Sequence, residues 1–250
     1  MTNLKKVVVI GGTGLIGSKA VKLLQDAGHE AVAASSRNGI NAYTGEGLEA
    51  ALTGADAVID VSNMMSFDKA AITDFFETSS RNLTSAERAA GVRHHVLLSI
   101  VNADQLAANP YMAGKLAQEE AVVSSGQAYT IVRATQFHEF IETLAGAYAA
   151  DGVVKVPDTD FQPIAASDVA SALVEAALGE PKHATVDLAG PERAAFESFI
   201  RAYLAAKGDG NPVIADAAVD YFGASVAKDS LVPGGQYIKG RITIAEWLKA

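Results

Sequence analysis

Short apolar runs alternate along this chain with longer segments in which apolar residues recur every three or four positions. The runs, rich in valine and isoleucine, lie at 7–10, 30–34, 57–61, 95–100, 129–134 and 184–190, and predict buried parallel strands. The longer segments at 15–27, 46–52, 69–90, 112–125 and 167–178 predict helices between them. This alternation predicts an α/β fold, a Rossmann-like doubly wound parallel sheet with helices on both faces.

The connection after the second predicted strand is unusual. Only SSRNGINAYTGEG separates Ala34 from the next helical pattern, whereas a parallel crossover usually takes a dozen or more residues and often a helix. We therefore expect the crossover helix to be missing or reduced to a loop, with a weak third strand at 39–43.

The regular alternation ends near Gln136. Segments 136–165 and 191–250 mix short apolar runs with turn signals such as Asp151-Gly152 and Pro233-Gly234-Gly235. We expect residues 1–190 to form a dinucleotide-binding domain with an insertion at 136–165. Residues 191–250 are expected to form a small substrate-binding portion that is not an independent domain.

Composition narrows the function classes. The 250 residues are 49% hydrophobic, carry a net charge of −9 and include no cysteine, so disulfides and thiolate catalysis are excluded. No secretory signal and no run of roughly 20 apolar residues is seen, so we expect a soluble, cytoplasmic protein without a membrane partner. The acidic charge argues against nucleic-acid binding. A monomer or a homodimer is compatible with the sequence.

A glycine cluster follows the first strand. Gly12, Gly14 and Gly17 of VVVIGGTGLIGSKA fit the pattern GxGxxG, and Gly11, Gly14 and Gly17 fit GxxGxxG. Such glycines allow a tight turn, close approach of a pyrophosphate and close packing of helix on sheet. The helix that follows directs its N–H groups and its positive dipole end towards an anion. The cluster predicts a dinucleotide site.

The second strand indicates which dinucleotide is bound. NAD-binding units usually place an acid at the end of this strand to bind the ribose hydroxyls, but the sequence there reads Ala34-Ser35-Ser36-Arg37-Asn38. Ser35 and Ser36 can donate to a phosphate, and Arg37 can neutralise it with paired hydrogen bonds. NADP(H) is therefore favoured over NAD(H).

A Ser, Tyr and Lys set suits carbonyl reduction. Ser99 ends a strand, Tyr111 follows Pro110 at an expected helix start, and Lys115 lies four residues further on the same helical face. A phenol has a pKa of about 10, and a nearby ammonium is expected to lower it towards the working range. The Ser99 hydroxyl can help to hold the substrate oxygen. We expect Ser99, Tyr111 and Lys115 to be catalytic.

These residues resemble those of the short-chain dehydrogenase/reductases, and within them the atypical, NmrA-like NAD(P)-binding branch. The resemblance covers most of the chain through VVVIGGTGLIG, AVIDVSN, LLSI followed by YMAGK, TIVRATQF and PIAASDVA. It implies that Val61, Ser62 and Asn63 line the ribose and nicotinamide side, and that Lys115 also bonds the ribose. With the signals above, the expected cofactor contacts are Gly11, Thr13, Gly14, Leu15, Ile16, Gly17, Ser35, Ser36, Arg37, Ser62, Asn63 and Lys115.

The resemblance further implies a substrate pocket formed by Thr135, Gln136, Phe137 and the C-terminal segments. His138 lies beside that pocket and is expected to face substrate. The run HEFIE matches part of a metalloprotease pattern but lacks its second histidine, so no metal site is expected.

Three functions fit the sequence. The first is an NADPH-dependent reductase of a small carbonyl or quinone-like substrate, with Tyr111 as general acid. The second is a non-catalytic NADP(H)-binding redox sensor or regulatory protein, because the branch contains such members. A nucleotide-sugar epimerase ranks last, because 191–250 is small for a sugar-nucleotide domain.

Overall fold

A computed structural model describes residues 4–66 and 68–250. Its strands, in chain order, are β1 (Lys6–Ile10), β2 (Glu30–Ala34), β3 (Ala57–Asp60), β4 (His94–Ile100), β5 (Tyr129–Ala134), β6 (Ala149–Ala150), β7 (Val153–Pro157), β8 (Asp160–Phe161), β9 (Ala184–Ala189), β10 (Ala194–Ala195), β11 (Val213–Asp216) and β12 (Tyr237–Lys239). Its helices are α1 (Leu15–Asp26), α2 (Leu48–Leu52), α3 (Lys69–Ala90), α4 (Pro110–Ser124), α5 (Ile141–Ala147), α6 (Ala166–Leu178), α7 (Phe196–Ala206) and α8 (Ile244–Trp247).

The central sheet has seven strands in the order β12-β9-β5-β4-β3-β1-β2, and every neighbouring pair is parallel. All six strands predicted from the apolar runs are present in it. The chain turns back beside β1, between β1 and β3, and ligands of doubly wound sheets bind outside the strand ends at such a reversal. The glycine cluster lies at this end of β1.

Both faces of the sheet are covered, as the continuous apolar runs predict. Val7 and Val9 pack with α1 and α6, whereas Val8 and Ile10 pack with residues of α2 and α3. Successive side chains of a strand point to opposite faces, so β1 is buried on both sides. The predicted Rossmann-like doubly wound fold is confirmed.

The prediction of a third strand at 39–43 is wrong. These residues form turns, and after a short 3-10 turn at Ser36–Asn38 the chain passes directly to α2 and then to β3 on the other side of β1. A helix is therefore present in the crossover, although it has only five residues. The segment is too short to add a strand beyond β2, which leaves β2 at the edge of the sheet.

The segments 136–165 and 191–250 pack on one another. Strand β7 pairs with β6 and β11, β8 pairs with β10, and a large apolar cluster joins α5 to α7. The chain then returns to the main sheet, where β12 pairs with β9. Asp168 of α6 anchors this return by accepting hydrogen bonds from the backbone of Arg241 and Ile242.

Side chains from distant elements meet at the last helix and at β4. Trp247 packs as part of a last short helix. His94 and His95 point to opposite faces of β4, the first towards Thr130 of β5 and the second towards Glu87 of α3.

In the described part of the chain, no helix combines the length and apolar character that spanning a membrane requires.

Candidate active site

The glycine loop joins β1 to α1 with very little space. Gly11 has φ +78°, and a Cβ there would lie 2.7 Å from the carbonyl oxygen of Val61. A Cβ at Gly17 would overlap the carbonyl oxygen of Gly11. These two positions require glycine because the start of α1 packs directly on the loop and on the end of β3.

The first turn of α1 faces outward. Gly14 is the N-cap and supplies no side-chain hydrogen bond, so the free N–H groups of that turn are left to an outside acceptor. Thr13, Gly14 and Leu15 are exposed, whereas the Ile16 side chain is buried in the core. Of the predicted contacts in this turn, Ile16 can therefore offer a cofactor only its backbone.

The end of β2 forms a small polar turn. The Asn38 amide caps it, because its Oδ1 accepts from the Ser35 backbone and its Nδ2 donates to the Ala33 carbonyl. Ser36 and Arg37 are exposed. Among the described residues, the Arg37 guanidinium has no ion-pair or hydrogen-bond partner, so it is available to a phosphate.

Tyr111 lies at the start of α4, where the sequence places it. Asn109 caps this helix by accepting from the backbone of Tyr111 and Met112 at 2.8 and 3.2 Å. The Tyr111 hydroxyl donates a 2.8 Å hydrogen bond to Oδ1 of Asn63, in the segment after β3. Tyr111 and Asn63 therefore meet at the end of β3, next to the glycine loop.

The expectation that Lys115 lowers the pKa of Tyr111 is wrong in this structure. Burial raises the pKa of the Tyr111 phenol to about 12. The Lys115 ammonium instead donates to Oε1 of Gln118 and lies 4.8 Å from the centre of the Phe76 ring. Because Lys115 is directed along its own helix, it does not act on the phenol.

Ser99 lies on the α3–α4 side of β4, the side that its alternation with His95 and Leu97 requires. Its side chain is only 2% exposed, and its hydroxyl has no hydrogen-bond partner among the described residues. A buried hydroxyl without a partner is uncommon, so Ser99 retains hydrogen-bonding capacity.

Three of the four residues expected at the substrate pocket, Gln136, Phe137 and His138, have different environments. Gln136 is 8% exposed, and neither atom of its amide is in hydrogen-bond geometry with a described residue. Phe137 is half-buried and pairs with Ile164. His138 is 1% exposed, its ring packs 5.7 Å from that of Trp247, and its Nδ1 has no hydrogen-bond partner among the described residues. His138 therefore packs beside α8, and its contact with substrate stays a prediction.

Several neighbours of the site were missed from the sequence. Asp60 and Gln118 connect β3 to Lys115, Asn109 caps α4, and Tyr221 approaches from the C-terminal segment. Burial raises the pKa of the Tyr221 phenol, while the nearby Gln136 amide lowers it. Only Asn109 carried a local signal, because it precedes a proline at a helix start. The others come from positions distant in sequence.

Two open clefts lie away from these residues. One of about 710 Å³ is lined by Lys19, Glu139, Ser167, Arg241, Ile242, Glu246, Trp247 and Ala250. The other, of about 530 Å³, lies beside the edge strand β12 and is lined by Thr185, Val186, Asp187, Gln236, Tyr237 and Ile238. Neither contains Ser99, Tyr111 or Gln136.

The chain is similar in sequence to known NAD(P)H-binding proteins. Residues 11–180 match the NAD(P)H-binding family. The photosystem II assembly factor Ycf39 of Synechocystis sp. is 30% identical over 158 residues, which are 58% of this chain and 48% of that protein. The NAD(P)H azoreductase of Xenophilus azovorans is 30% identical over 195 residues, 71% of this chain and 64% of the relative. The matched part thus spans about half to two thirds of these relatives.

Solved structures show the same fold. The complex of MoeE5 with UDP-glucose and NAD has a TM-score of 0.72 at 17% identity, covering 98% of this chain and 97% of that one. The family match covers the glycine loop, strands β2 to β5 and the Tyr111 helix. The chain belongs to the NAD(P)H-binding family, in the atypical branch of the short-chain dehydrogenase/reductases.

Proposed function

We propose that this protein is an NADPH-dependent reductase of a small carbonyl or quinone-like substrate, with Tyr111 as the proton donor. The observation that carries the proposal is the position of the Tyr111 phenol. It meets Asn63 at 2.8 Å, at the sheet end where the glycine loop lies. A bound nicotinamide supplies the hydride, and the chain's residues orient both partners and provide the proton. The azoreductase relative supports a reductase.

The cofactor would lie across the end of the sheet. The outward-facing first turn of α1 would hold the pyrophosphate, and Ser62 with Asn63 would line the nicotinamide side. Ser35, Ser36 and Arg37 would receive the phosphate on the adenosine ribose, because Arg37 is exposed and the turn holds no carboxylate. This arrangement favours NADPH over NADH.

The substrate oxygen would be held by groups that have unused hydrogen-bonding capacity. Tyr111 stays protonated at neutral pH because burial raises its pKa to about 12, so it can donate. The Ser99 hydroxyl and the Gln136 amide are both buried and unpaired among the described residues, and can stabilise negative charge on the oxygen.

The C-terminal portion 191–250 would complete the substrate site together with 136–165. Asn109, the cap of the Tyr111 helix, donates a 3.2 Å hydrogen bond to the carbonyl of Phe222. The Phe222 ring packs 6.4 Å from that of Phe140 and 5.6 Å from that of Tyr148. These contacts place an aromatic wall beside the helix that carries the proton donor.

The test follows NADPH oxidation with a panel of aldehydes, ketones and quinones. Tyr111→Phe is expected to abolish turnover while NADPH binding stays within a few-fold. Tyr129→Phe is the matched control, because that phenol lies at the opposite end of β5 and is expected to leave both unchanged. Turnover that survives in Tyr111→Phe would remove Tyr111 as the donor and favour direct hydride transfer to a quinone.

Cofactor preference needs its own test. Arg37→Ala is expected to weaken NADPH binding at least about tenfold, or ~1.4 kcal/mol, and to leave NADH binding unchanged. Arg81→Ala on the exposed face of α3 is the control, with neither affinity altered. An equal loss of affinity for NADPH and NADH would show that Arg37 does not bind the phosphate on the adenosine ribose.

A second candidate is a non-catalytic NADP(H)-binding regulatory protein. The observation that favours it is the burial of three residues expected at the site: Ser99, Lys115 and Gln136 are 2%, 4% and 8% exposed, and none of them lines either cleft described above. The relative that acts as an assembly factor supports it too. Tight NADPH binding without turnover of any panel substrate would make this the leading function.

A further inference from the structure

A buried chain of hydrogen bonds links the end of β3 to Lys115. The Gln118 amide nitrogen donates to Oδ2 of Asp60 at 2.9 Å, and its oxygen accepts from the Lys115 ammonium. Asp60, Gln118 and Lys115 are 1%, 0% and 4% exposed. The amide thus stands between a carboxylate and an ammonium that are both removed from water.

The orientation of the Gln118 amide is determined by its partners. A carboxylate only accepts and an ammonium only donates, so the nitrogen must face Asp60 and the oxygen must face Lys115. The amide dipole therefore extends the negative charge of Asp60 towards the ammonium. The other carboxylate oxygen, Oδ1, accepts from the Ser62 backbone at 2.9 Å, so the same Asp60 holds the segment expected to line the cofactor.

Other charged groups surround the ammonium without replacing this contact. Glu119 of α4 is engaged by Arg133 at 2.7 and 2.9 Å, and His95 of β4 by Glu87 of α3. The Phe76 ring offers its face from α3. Burial lowers the pKa of Lys115 to about 8, against the opposing influence of Asp60 and Glu119. Gln118 is the uncharged group that accepts directly from this ammonium.

We propose that Gln118, oriented by Asp60, is the positioning residue that keeps Lys115 charged and in place beside Ser62 and Asn63, the residues expected to line the cofactor. The catalytic part of this inference rests on the proposed reductase function, in which a charged Lys115 would orient the cofactor ribose. The hydrogen-bonded chain itself can be measured without turnover. Gln118 lies three residues beyond Lys115, and the same helix carries Tyr111.

The test measures the ionisation of Lys115 by NMR on protein labelled with ¹³C-lysine, its signal identified by its absence in Lys115→Arg. Gln118→Met removes the acceptor at similar volume and is expected to lower the Lys115 pKa by about one unit, a tenfold change in the protonation equilibrium. Gln127→Met is the matched control. Gln127 is also buried and donates to the Val92 carbonyl at 2.8 Å, but it has no contact with Lys115.

The double substitution D60N/Q118E exchanges amide and carboxylate while keeping a donor opposite each acceptor. It is expected to return the Lys115 pKa to the wild-type value or above, and it keeps the proposal testable if Gln118→Met fails to fold. A Lys115 pKa in Gln118→Met equal to or above that of wild type, or one in D60N/Q118E below it, would overturn the proposal.

Turnover separates this inference from the proposed function. The fall of kcat at high pH is expected to begin about one unit lower in Gln118→Met, because Lys115 loses its proton earlier, with little change in KM for NADPH. A shifted Lys115 titration without turnover in any variant would support the hydrogen-bonded chain and overturn the reductase. Turnover together with an unshifted Lys115 titration in Gln118→Met would support the reductase and overturn the role of the hydrogen-bonded chain.

Discussion

The Tyr111 hydroxyl lies 2.8 Å from Oδ1 of Asn63 and donates to it. This bond stabilises the protonated phenol, and burial acts in the same direction by raising its pKa to about 12. The Tyr111 phenol is therefore held in its protonated form at neutral pH, as the proposed role of proton donor requires.

We expect Tyr111 to remain protonated at a pH where an ordinary phenol, with a pKa of about 10, is half ionised. The measurement is the phenolate absorption difference between wild type and Tyr111→Phe during an alkaline titration. At that pH the difference should show no phenolate contribution from Tyr111. Ionisation at or below pH of about 10 would contradict the effect of burial and show that Lys115 reaches the phenol.

A buried pair behind the site makes stability depend on pH. Oε1 of Glu87 lies 2.8 Å from Nδ1 of His95, with both side chains fully buried, and the carboxylate raises the pKa of His95. A raised folded-state pKa stabilises the fold fully below the unfolded value of about 6.5, and this contribution is lost as the pH rises through the folded value. The free energy of unfolding of wild type is therefore expected to fall as the pH rises from about 6.5 through the folded-state pKa of His95.

The variant Glu87→Gln tests this origin. Its amide oxygen still accepts from His95, but the charge that raises the His95 pKa is gone, so the loss of stability with rising pH expected for wild type should disappear. Glu87→Ala removes the partner altogether and is expected to cost about 3–5 kcal/mol. A pH dependence in Glu87→Gln as steep as that of wild type would assign the effect to other groups.

Local signals explain what the sequence could predict. The strand runs, the glycine cluster and the proline at the start of α4 each act within a few residues, and they place Gly14 and Tyr111 correctly. Arg133 at the end of β5 pairs with Glu119 and Asp104, one of them on α4 and the other just before it.

The direction of the Lys115 ammonium could not be predicted in this way. The helical pattern places Lys115 near Tyr111, but the ammonium follows Gln118, which is oriented by Asp60 from another strand. The packing of His138 against Trp247 could not be predicted for the same reason, because Trp247 is over a hundred residues away in the chain. The strand expected at 39–43 failed because a suitable composition does not supply a neighbouring strand to pair with.

Asn109 has two separable roles. Its Oδ1 caps α4 at the backbone of Tyr111, and its Nδ2 donates to the Phe222 carbonyl, where Phe222 has an unfavourable φ of +50°. Asn109→Ala loses both roles and is expected to cost about 1 kcal/mol for the cap alone. Asn109→Asp keeps the cap and loses only the donor.

Hydrogen exchange distinguishes the two variants. Both should speed exchange in the segment 220–224, because each releases the Phe222 carbonyl, while only Asn109→Ala should also speed exchange in the first turn of α4. Unchanged exchange at 220–224 in both variants would show that the side-chain tie does not hold this part of the aromatic wall.

Two glycines of the loop separate cofactor binding from folding. A Cβ at Gly14 would approach only the Gly11 carbonyl oxygen, at 3.3 Å, and the φ of −83° there suits any residue. A Cβ at Gly17 would overlap that same oxygen. Gly14→Ala is therefore expected to fold with nearly wild-type stability, whereas Gly17→Ala should lose about 1–3 kcal/mol to overpacking.

If the pyrophosphate lies on the outward face of α1, Gly14→Ala should weaken NADPH binding at least about tenfold, because its methyl group occupies the surface that the phosphates need. Thermal unfolding and fluorescence titration with NADPH measure the two effects on the same samples. Ser18→Ala, one turn further along α1 and exposed, is the control and should change neither. If Gly14→Ala binds NADPH as tightly as wild type does, the pyrophosphate does not lie against this turn, because the added methyl group would then occupy no surface that the phosphates need.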